Sequence, residues 1–500
     1  MLGTICNRLL YVASRSQMID TIYYEFFGQF LHINNAYILF SEFSMLARNL
    51  GIPLDYRDLI YIIDFPLFIY LLQKHRKKEI TLQYYKNSIR IAIAVTAIAA
   101  VMLITAPIKI NEFSSKQVAQ IDDAEIVSRY GFIGHHLYDL LMPSIDNSIN
   151  KIEYGNTIIN RGSSGRRPNI ILIQIESLDA NIVNYRYRGE YVVPFLHKLT
   201  TESLYFPFTL CYRKLGGTSD CEIAVNNSIE PPVDYPLIMD EHYNYPNSVV
   251  KVLKKNGYIS EAFHGNSGWF YKRIHAYAAM GYDNFFDPKR MGIAEKDWGV
   301  PDHEVLNFVE QHLQKVTTPF FFSIITLTSH EPFSNFEHFT PDKRFEGVEP
   351  RLTGRYFASI AYTDRVLGKF IADVQKKYPD TYFFLYGDHT PYVINDGPFR
   401  RSVLANEEKM EMVPLFIITP NGQRRYEHDA VAGYLDIAPT ILHAAGVPFS
   451  YRPLGEDLFA DKSLQRPVIY RGRTYERAVL FKEISEELKR YKGETALTEE

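Results

Sequence analysis

The chain has 500 residues, of which 46% are hydrophobic and 22% are charged, so it can bury a large core and is not intrinsically disordered. Its 54 Lys and Arg residues nearly balance its 58 Asp and Glu residues, and the formal net charge is −4. This balance excludes the broad cationic surface of a protein that binds nucleic-acid phosphates, so we expect no nucleic-acid partner. The three cysteines are too few for a disulfide scaffold.

The first part of the chain is apolar enough to predict a membrane region. Residues 91–108 carry no charge over about the minimum length that crosses the hydrocarbon layer, and they predict a transmembrane helix. Residues 59–72 contain Asp64 and Pro66, and they could span the membrane, re-enter it or lie at its surface. The basic stretch QKHRKK between these segments favours the cytoplasmic side. We therefore predict a protein of the plasma or inner cell membrane whose later residues are extracytoplasmic.

Composition divides the chain into four parts. The polar stretch RGSSGRR is typical of an exposed joint and precedes a change of pattern. The predicted parts are a membrane region of one or two spans (1–110), a juxtamembrane linker (111–165), an extracytoplasmic catalytic domain (166–475) and a C-terminal helix with a tail (476–500).

The third part contains short apolar runs that alternate with helical stretches, a pattern typical of an α/β fold. The runs are NIILIQI, YISEAF, PFFFSIITL, TYFFLYG and VPLFIIT, which begin at residues 169, 258, 319, 381 and 413. Runs of this kind, separated by helices such as the one predicted over 356–377, indicate a mostly parallel central sheet with helices on both faces.

Polar side chains follow four of these five strands. They are Glu176, His264, His330, and the adjacent pair Asp388 and His389. Each one alone is more often a cap or a turn residue, but the carboxyl ends of parallel strands meet at one edge, where such sheets bind ligands. The sequence therefore predicts a cluster of metal ligands and proton carriers at this edge.

Thr218 is the candidate nucleophile. Ser219 followed by Glu222 predicts a capping box, with a helix beginning there and Thr218 just before its N-terminus, where an anionic phosphate is favoured. Gly216 and Gly217 allow close approach of the backbone. The alternative is that Thr218 only starts the helix. A hydroxyl held on a divalent cation by the strand-end ligands would have a lowered pKa and could act as a nucleophile.

A set of motifs resembles the lipoteichoic acid synthase family, membrane-anchored phosphoglycerol transferases within the alkaline phosphatase and sulfatase superfamily. The motifs are, in order, PNIILIQIESLDA, GGTSDCEIAVNNS, EAFHGNSGWFYKR, MGYDNFFD, DWGVPDHEVL, LTSHEPF and YGDHTP. The resemblance covers roughly residues 167–480 and extends more weakly upstream.

The resemblance implies roles for individual residues. One divalent metal, Mn²⁺ first with Mg²⁺ or Zn²⁺ as alternatives, would be held by Glu176, Thr218, Asp388 and His389. Thr218 would be the nucleophile and His330 a catalytic residue that assists proton transfer. The implied substrate-binding residues are His264, Asn266, Tyr271, Arg273 and His330.

Two departures from the family pattern leave the head group open. Asn266 stands where the family often has an acidic residue, and Tyr271 stands where tryptophan is common. Taken alone, Arg273 could be a surface ion pair and Tyr271 a core aromatic.

The resemblance implies transfer of a glycerophosphate group from phosphatidylglycerol, through a phosphothreonine, to a glycan or polyglycerolphosphate acceptor. The alternatives are a phosphoethanolamine transferase, a phosphodiesterase or sulfatase-like hydrolase, and a membrane-anchored binding protein with an inert site. A true sulfatase requires a C/S-x-P-x-R motif, which the sequence lacks.

Cys211 and Cys221 bracket Thr218. In an oxidising extracytoplasmic space they could form a disulfide that closes the nucleophile loop, and two buried free thiols are the alternative.

Overall fold

The computed structural model describes residues 151–496 except 163–164, 166, 214–216, 233–235, 297–298, 332, 334–337, 349–350, 392–402, 406–407, 423–424, 427–428 and 461–462. The predicted spans at 59–72 and 91–108 lie outside these residues. Among the described residues, none of the helices combines the length and the apolar character needed to cross a membrane.

The described residues form the following strands and α-helices. The strands are β1 (Ile158–Asn160), β2 (Asn169–Ile175), β3 (Arg186–Tyr187), β4 (Glu190–Tyr191), β5 (Leu204–Leu210), β6 (Ile259–His264), β7 (Asn284–Phe286), β8 (Phe320–Ile325), β9 (Thr381–Gly387), β10 (Val403–Ala405), β11 (Glu408–Met410), β12 (Met412–Ile418), β13 (Arg425–Tyr426), β14 (Ala432–Gly433), β15 (Phe449–Tyr451), β16 (Val468–Tyr470) and β17 (Arg473–Tyr475). The α-helices are α1 (Pro194–Glu202), α2 (Thr218–Asn227), α3 (Val249–Lys255), α4 (Arg273–Met280), α5 (Pro288–Met291), α6 (Asp302–Leu313), α7 (Arg351–Lys377), α8 (Ile437–Ala445) and α9 (Arg477–Ala496).

The central sheet has the strand order β13-β5-β12-β9-β2-β8-β6-β7, and β14 also pairs with β5. β9, β2, β8, β6 and β7 are parallel to one another, whereas β12 is antiparallel to both β9 and β5. The five predicted strands are present as β2, β6, β8, β9 and β12. The prediction of an α/β fold with a mostly parallel sheet is therefore confirmed.

β2 lies near the centre of this sheet and is covered on both faces. All seven of its residues are buried. Ile171, Ile173 and Ile175 pack in one core cluster with side chains of α6 and α7. Ile170 and Leu172 point to the other face, where α8 contacts the strand, and they are buried as well. Each such side chain contributes about 1.5–3 kcal/mol to stability, which explains the uninterrupted apolar run.

The predicted C-terminal helix is present as α9 and is anchored by its first residue. Arg477 is fully buried, and its Nη1 and Nη2 donate to the two carboxylate oxygens of Asp436 at 2.7 and 2.9 Å. Its Nη1 also donates to the carbonyl oxygen of Val431 at 2.7 Å. The start of α9 is thus tied to the loop before α8.

Asp364, on α7, supplies the N-terminal cap of α1. Its carboxylate oxygens accept the backbone N–H groups of Phe195 and Leu196 at 3.0 and 2.7 Å, two of the groups that a helix start leaves unpaired. Burial raises the pKa of Asp364 to about 7, even though these two hydrogen bonds act to lower it. The folded state therefore holds a proton on Asp364 more tightly than the unfolded state does.

Stability should consequently fall as pH rises from about 4 to 7, because the unfolded state loses the Asp364 proton first. Asp364→Asn removes this ionisation and keeps one acceptor for α1, so its stability relative to the parent should be higher at pH 8 than at pH 5. Two pH units of this effect fall between pH 5 and the Asp364 pKa of about 7, so the expected difference between the two pH values is roughly 3 kcal/mol. Thermal unfolding of the detergent-solubilised chain at the two pH values measures it. Asp373→Asn, at an exposed position of the same helix, is the control, and an equal gain there would contradict the assignment.

Candidate active site

Glu176, Asp388 and His389 meet at the carboxyl edge of the sheet. Glu176 directly follows β2, and Asp388 and His389 directly follow the adjacent parallel strand β9. One ligand atom from each lies within 4.8 Å of the others, and all three side chains are buried. The Nε2 atom of His389 lies 3.2 Å from Glu176 Oε1 and 3.6 Å from Asp388 Oδ2. The sequence prediction that these residues converge is correct.

Ser177 fixes the two carboxylates relative to each other. Its backbone N–H donates to Asp388 Oδ1 at 2.8 Å, and its hydroxyl donates to Glu176 Oε1 at 3.0 Å. Its φ of 55° is in the left-handed region, which costs a non-glycine residue about 1 kcal/mol or more and is found mainly at functional sites. This left-handed conformation turns the chain sharply at the end of β2.

The charges of this cluster favour a bound cation. Burial raises the pKa of Asp388, and the nearby charge of Glu176 raises it further. Burial acts to lower the pKa of His389, but Asp388 and Glu176 override this effect and raise it to about 10. A positive charge is therefore stabilised between the carboxylates. Asp388 Oδ2 is also buried without a hydrogen-bond donor from the described residues, so one ligand atom is left for a cation.

The chemistry of the donors fits a divalent metal. Two carboxylates and an imidazole, with the hydroxyl of Thr218 as a further oxygen donor, suit Mn²⁺ or Zn²⁺, and Mg²⁺ prefers oxygen donors alone. The residues present therefore fit the predicted group, and the identity of the metal stays a prediction.

Three histidines near the site use the same ring nitrogen, Nδ1, to contact a backbone carbonyl oxygen. The Nδ1 atoms of His264, His330 and His389 lie 3.1, 2.7 and 2.9 Å from the backbone carbonyl oxygens of Ile325, Glu331 and Thr390. A carbonyl only accepts, so Nδ1 carries the proton in each ring and Nε2 is the atom directed to chemistry.

His264 and His330 lie beside the metal ligands. Burial, and next the charge of Arg273, lower the pKa of His264 to about 3, so this ring is neutral. His330 follows Ser329, whose hydroxyl donates to the backbone oxygen of Glu176 at 2.7 Å. The loop after β8 therefore lies against the backbone of Glu176, and the role of His330 stays a prediction.

Thr218 is the first residue of α2, and the predicted capping box is wrong. The N-cap is Gly217, and no side chain caps the helix there. Gly217 has φ 56° and ψ −130°, a combination open to glycine but not to residues with a Cβ, and this lets the helix begin one residue earlier than predicted. Glu222 does not turn back to the helix start, because its carboxylate binds Arg273 instead. The predicted position of Thr218 at a helix N-terminus is retained.

Cys211 and Cys221 are free, buried thiols that connect β5 and α2 to the loop after β9. Both Sγ atoms donate to the backbone oxygen of Asp388, each at 2.9 Å. Cys221 lies in the first turn of α2, so these contacts tie the start of that helix, where Thr218 stands, to the loop that carries Asp388. Of the two alternatives left open by the sequence, the structure has the free thiols.

The remaining predicted substrate residues lie around the start of α4. Arg273 forms an ion pair with Glu222, and its Nη2 lies 2.8 Å from Glu222 Oε1. The alternative prediction was an ion pair at the surface, whereas this pair is buried. Tyr271 is buried, and its ring centre lies 5.7 Å from the Arg273 guanidinium carbon. Asn266 is also buried, and its Oδ1 accepts the N–H of Ser267 at 2.7 Å.

Sequence reasoning missed Ser177 as the residue that orients both carboxylates, and it assigned Glu222 to a different contact. It also missed Asp302, whose Oδ1 accepts the N–H of Leu327 at 2.7 Å and so holds the loop that leads to His330. The stretch DWGVPDHEVL was noted for its resemblance, but nothing in its spacing indicates which loop the aspartate contacts.

Two carboxylates and an imidazole at the carboxyl edge of a mostly parallel sheet form an arrangement that could hold a divalent metal, as expected of enzymes that act on phosphate or sulfate esters. The sulfatase family model matches residues 168–447, and the lipoteichoic acid synthase N-terminal domain model matches residues 9–151. The chain belongs to the sulfatase family.

Known proteins similar to this chain agree with the motifs. Lipoteichoic acid synthase 2 of Bacillus subtilis is 28% identical over an alignment that covers 88% of this chain and 72% of that protein. The lipoteichoic acid synthase LtaP of Listeria monocytogenes has a TM-score of 0.52 at 21% identity and covers 67% of this chain and 93% of that one. The predicted resemblance and the predicted enzyme class, a phosphotransferase of the sulfatase family, are confirmed.

An integral membrane protein shares the fold as well. The integral membrane protein lipooligosaccharide phosphoethanolamine transferase A (EptA) of Neisseria meningitidis has a TM-score of 0.56 at 14% identity, with 88% of this chain and 84% of that chain covered. At this identity the likeness concerns the fold alone.

Proposed function

We propose that this chain is a membrane-anchored, metal-dependent phosphoglycerol transferase that moves a glycerophosphate group from a phosphatidylglycerol-like lipid to an acceptor alcohol. The observation that carries the proposal is the meeting of Glu176, Asp388 and His389 beside the first turn of α2, with one Asp388 oxygen that no described residue hydrogen-bonds. The similarity to lipoteichoic acid synthases supports the choice of donor and of a glycan or polyglycerolphosphate acceptor.

Glu176, Asp388, His389 and the Thr218 hydroxyl would hold the metal. When bound, a divalent cation lowers the pKa of a coordinated hydroxyl and offsets negative charge on a phosphate ester. The free N–H groups at the start of α2 add partial positive charge at the same place. Together these groups stabilise the charge that builds up on phosphoryl oxygens during transfer.

The chemical step follows from these positions. The Oγ of Thr218 attacks phosphorus, the Oγ–P bond forms, and the P–O bond to diacylglycerol breaks. The hydroxyl proton passes to Nε2 of His330, the residue predicted to assist proton transfer, and diacylglycerol leaves as the neutral alcohol after taking up one proton. An acceptor hydroxyl then attacks the phosphothreonine, gives up its proton and restores Thr218.

A membrane position suits a lipid donor. An anchored, extracytoplasmic catalytic domain keeps the site at the bilayer surface, so the lipid does not cross water. The missing C/S-x-P-x-R motif argues against sulfate ester chemistry in this member of the sulfatase family, since the nucleophile position carries Thr218 instead.

The test is to incubate the membrane-embedded chain and Mn²⁺ with phosphatidylglycerol or phosphatidylethanolamine, each labelled in its head group. We expect release of diacylglycerol from phosphatidylglycerol and transfer of the label to a larger product. Turnover of phosphatidylethanolamine instead would make the chain a phosphoethanolamine transferase. Free glycerophosphate as the sole product would mean that water is the acceptor, and label left on both lipids would favour a binding protein.

A further inference from the structure

Arg273 and Glu222 form a buried ion pair with fixed geometry. The Nε of Arg273 donates to Glu222 Oε1 at 3.0 Å, and its Nη2 donates to the same oxygen at 2.8 Å. The two side chains are 4% and 1% exposed, so water cannot replace either partner. A side-on pair of this kind orients the planar guanidinium as well as neutralising it.

The pair leaves one edge of the guanidinium unused. Nη1 donates no hydrogen bond to any described residue, whereas Nε and Nη2 are occupied by Glu222. A guanidinium can bind carboxylate or phosphate oxygens along either of two edges, each with two N–H groups. The edge that contains Nη1 is therefore available to a phosphate oxygen.

Glu222 stands on the same helix as the nucleophile. It lies one turn after Thr218 on α2, so the two side chains project from one face of the helix. Its other oxygen, Oε2, accepts the hydroxyl of Tyr277 on α4 at 2.8 Å. The carboxylate is thereby braced between the helix that carries Thr218 and the helix that begins at Arg273.

The backbone before Arg273 is held in a strained conformation. Tyr271 and Lys272 have φ of 55° and 52°, two consecutive left-handed residues without a glycine. Each costs about 1 kcal/mol or more, and such strain persists only where surrounding contacts enforce it. Arg273 also lies close enough to His264 for its charge to affect that ring at the metal edge.

We propose that Glu222 is a positioning residue, which orients the Arg273 guanidinium so that its Nη1 edge meets an oxygen of the phosphate ester bound at Thr218. Tyr277 supports the same arrangement through its hydroxyl. Because the pair is neutral overall, Arg273 adds directed hydrogen bonds for the phosphate without adding net charge to the site. The inference rests on the proposed function for its substrate class.

The main test compares Glu222→Gln, Arg273→Ala and the double variant in the membrane-embedded, Mn²⁺-loaded chain. Glu222→Gln keeps the shape of the side chain but loses its ionic hold on Arg273, so kcat/KM for phosphatidylglycerol should fall about 10- to 100-fold. In the Arg273→Ala background the same change should alter kcat/KM less than about twofold, since Glu222 acts through the missing guanidinium. Tyr277→Phe should lie between the parent and Glu222→Gln.

Glu261→Gln is the matched control. Glu261 is a buried glutamate on β6 that pairs with His312 at 2.7 Å and touches no residue of the site. It undergoes the same chemical change, so it should lower the thermal unfolding temperature and leave kcat and KM near the parental values.

A chemical rescue separates positioning from simple support of the fold. Millimolar guanidinium should restore part of the activity of Arg273→Ala, because Glu222 offers it a binding site, and it should fail in the double variant. Loss of folding stability alone would give no such difference between the two variants. Parental kinetics for Glu222→Gln, or equal rescue of both variants, would overturn the inference.

Inorganic phosphate makes the test independent of the donor. Its dissociation constant for the Mn²⁺-loaded chain should rise about tenfold in Glu222→Gln, and Glu222→Gln should cause no further rise when it is added to Arg273→Ala. If the parent fails to use phosphatidylglycerol but phosphate binding changes in this way, the donor assignment is wrong and the role of Glu222 stands. If the parent uses phosphatidylglycerol and Glu222→Gln leaves both measurements unchanged, the role of Glu222 is wrong and the function stands.

Discussion

Thr218→Ala should abolish the release of diacylglycerol from phosphatidylglycerol while the fold and the metal site remain. The hydroxyl of Thr218, the first residue of α2, is the nucleophile in the proposed reaction. Loss of a nucleophile typically costs several orders of magnitude, so we expect a fall of at least about 10³-fold in kcat. Release of labelled diacylglycerol by the membrane-embedded chain is the measurement.

Thr218→Ser keeps a hydroxyl and should retain measurable turnover with a phosphoserine in place of the phosphothreonine. Thr201→Ala, at an exposed position of α1, should behave as the parent. The role of Thr218 is wrong if Thr218→Ala releases diacylglycerol at the parental rate, or if mass spectrometry of the trapped parent finds the phosphoryl group on another residue.

The central strands were predictable because their environment is uniform. β2 and β8 are buried on both faces, and each needs an unbroken apolar run that sequence shows directly. β5 was missed although it pairs with β12. It contains Pro207, which argues against a paired strand, and the register shifts around that residue, where Thr209 and Phe206 face Val413 and Leu415.

The strand-end ligands were predictable for a topological reason. Parallel neighbours such as β2 and β9 end at the same edge, so Glu176 and Asp388 had to approach each other. No comparable rule joins Glu222 to Arg273, because their contact depends on the rotation of α2 and α4 about their axes. The spacing of Ser219 and Glu222 fits a capping box and a glutamate that points away from the helix start equally well, and the predicted capping box was wrong.

Asp388→Asn should remove the response of the chain to Mn²⁺ without destabilising its metal-free form. In the parent, Asp388 Oδ1 accepts the N–H groups of Ser177 and His389 at 2.8 and 2.7 Å, and the amide oxygen of asparagine can accept both. The new Nδ2 replaces Oδ2, the buried oxygen that lacks a donor among the described residues. The substitution therefore removes a buried carboxylate oxygen without a hydrogen-bond donor from the metal-free state and a ligand from the metal-bound state.

Thermal unfolding of the detergent-solubilised chain distinguishes these two effects. At a Mn²⁺ concentration 100 times its dissociation constant, the parent should gain about 2.7 kcal/mol, a rise of roughly 5 °C in midpoint. Asp388→Asn should have a metal-free midpoint at or above that of the parent, no rise with Mn²⁺, and phosphatidylglycerol turnover reduced at least about 100-fold. Asp364→Asn changes another buried aspartate, so it should keep the full Mn²⁺ response. A Mn²⁺-dependent rise of equal size in Asp388→Asn would mean that the metal binds elsewhere.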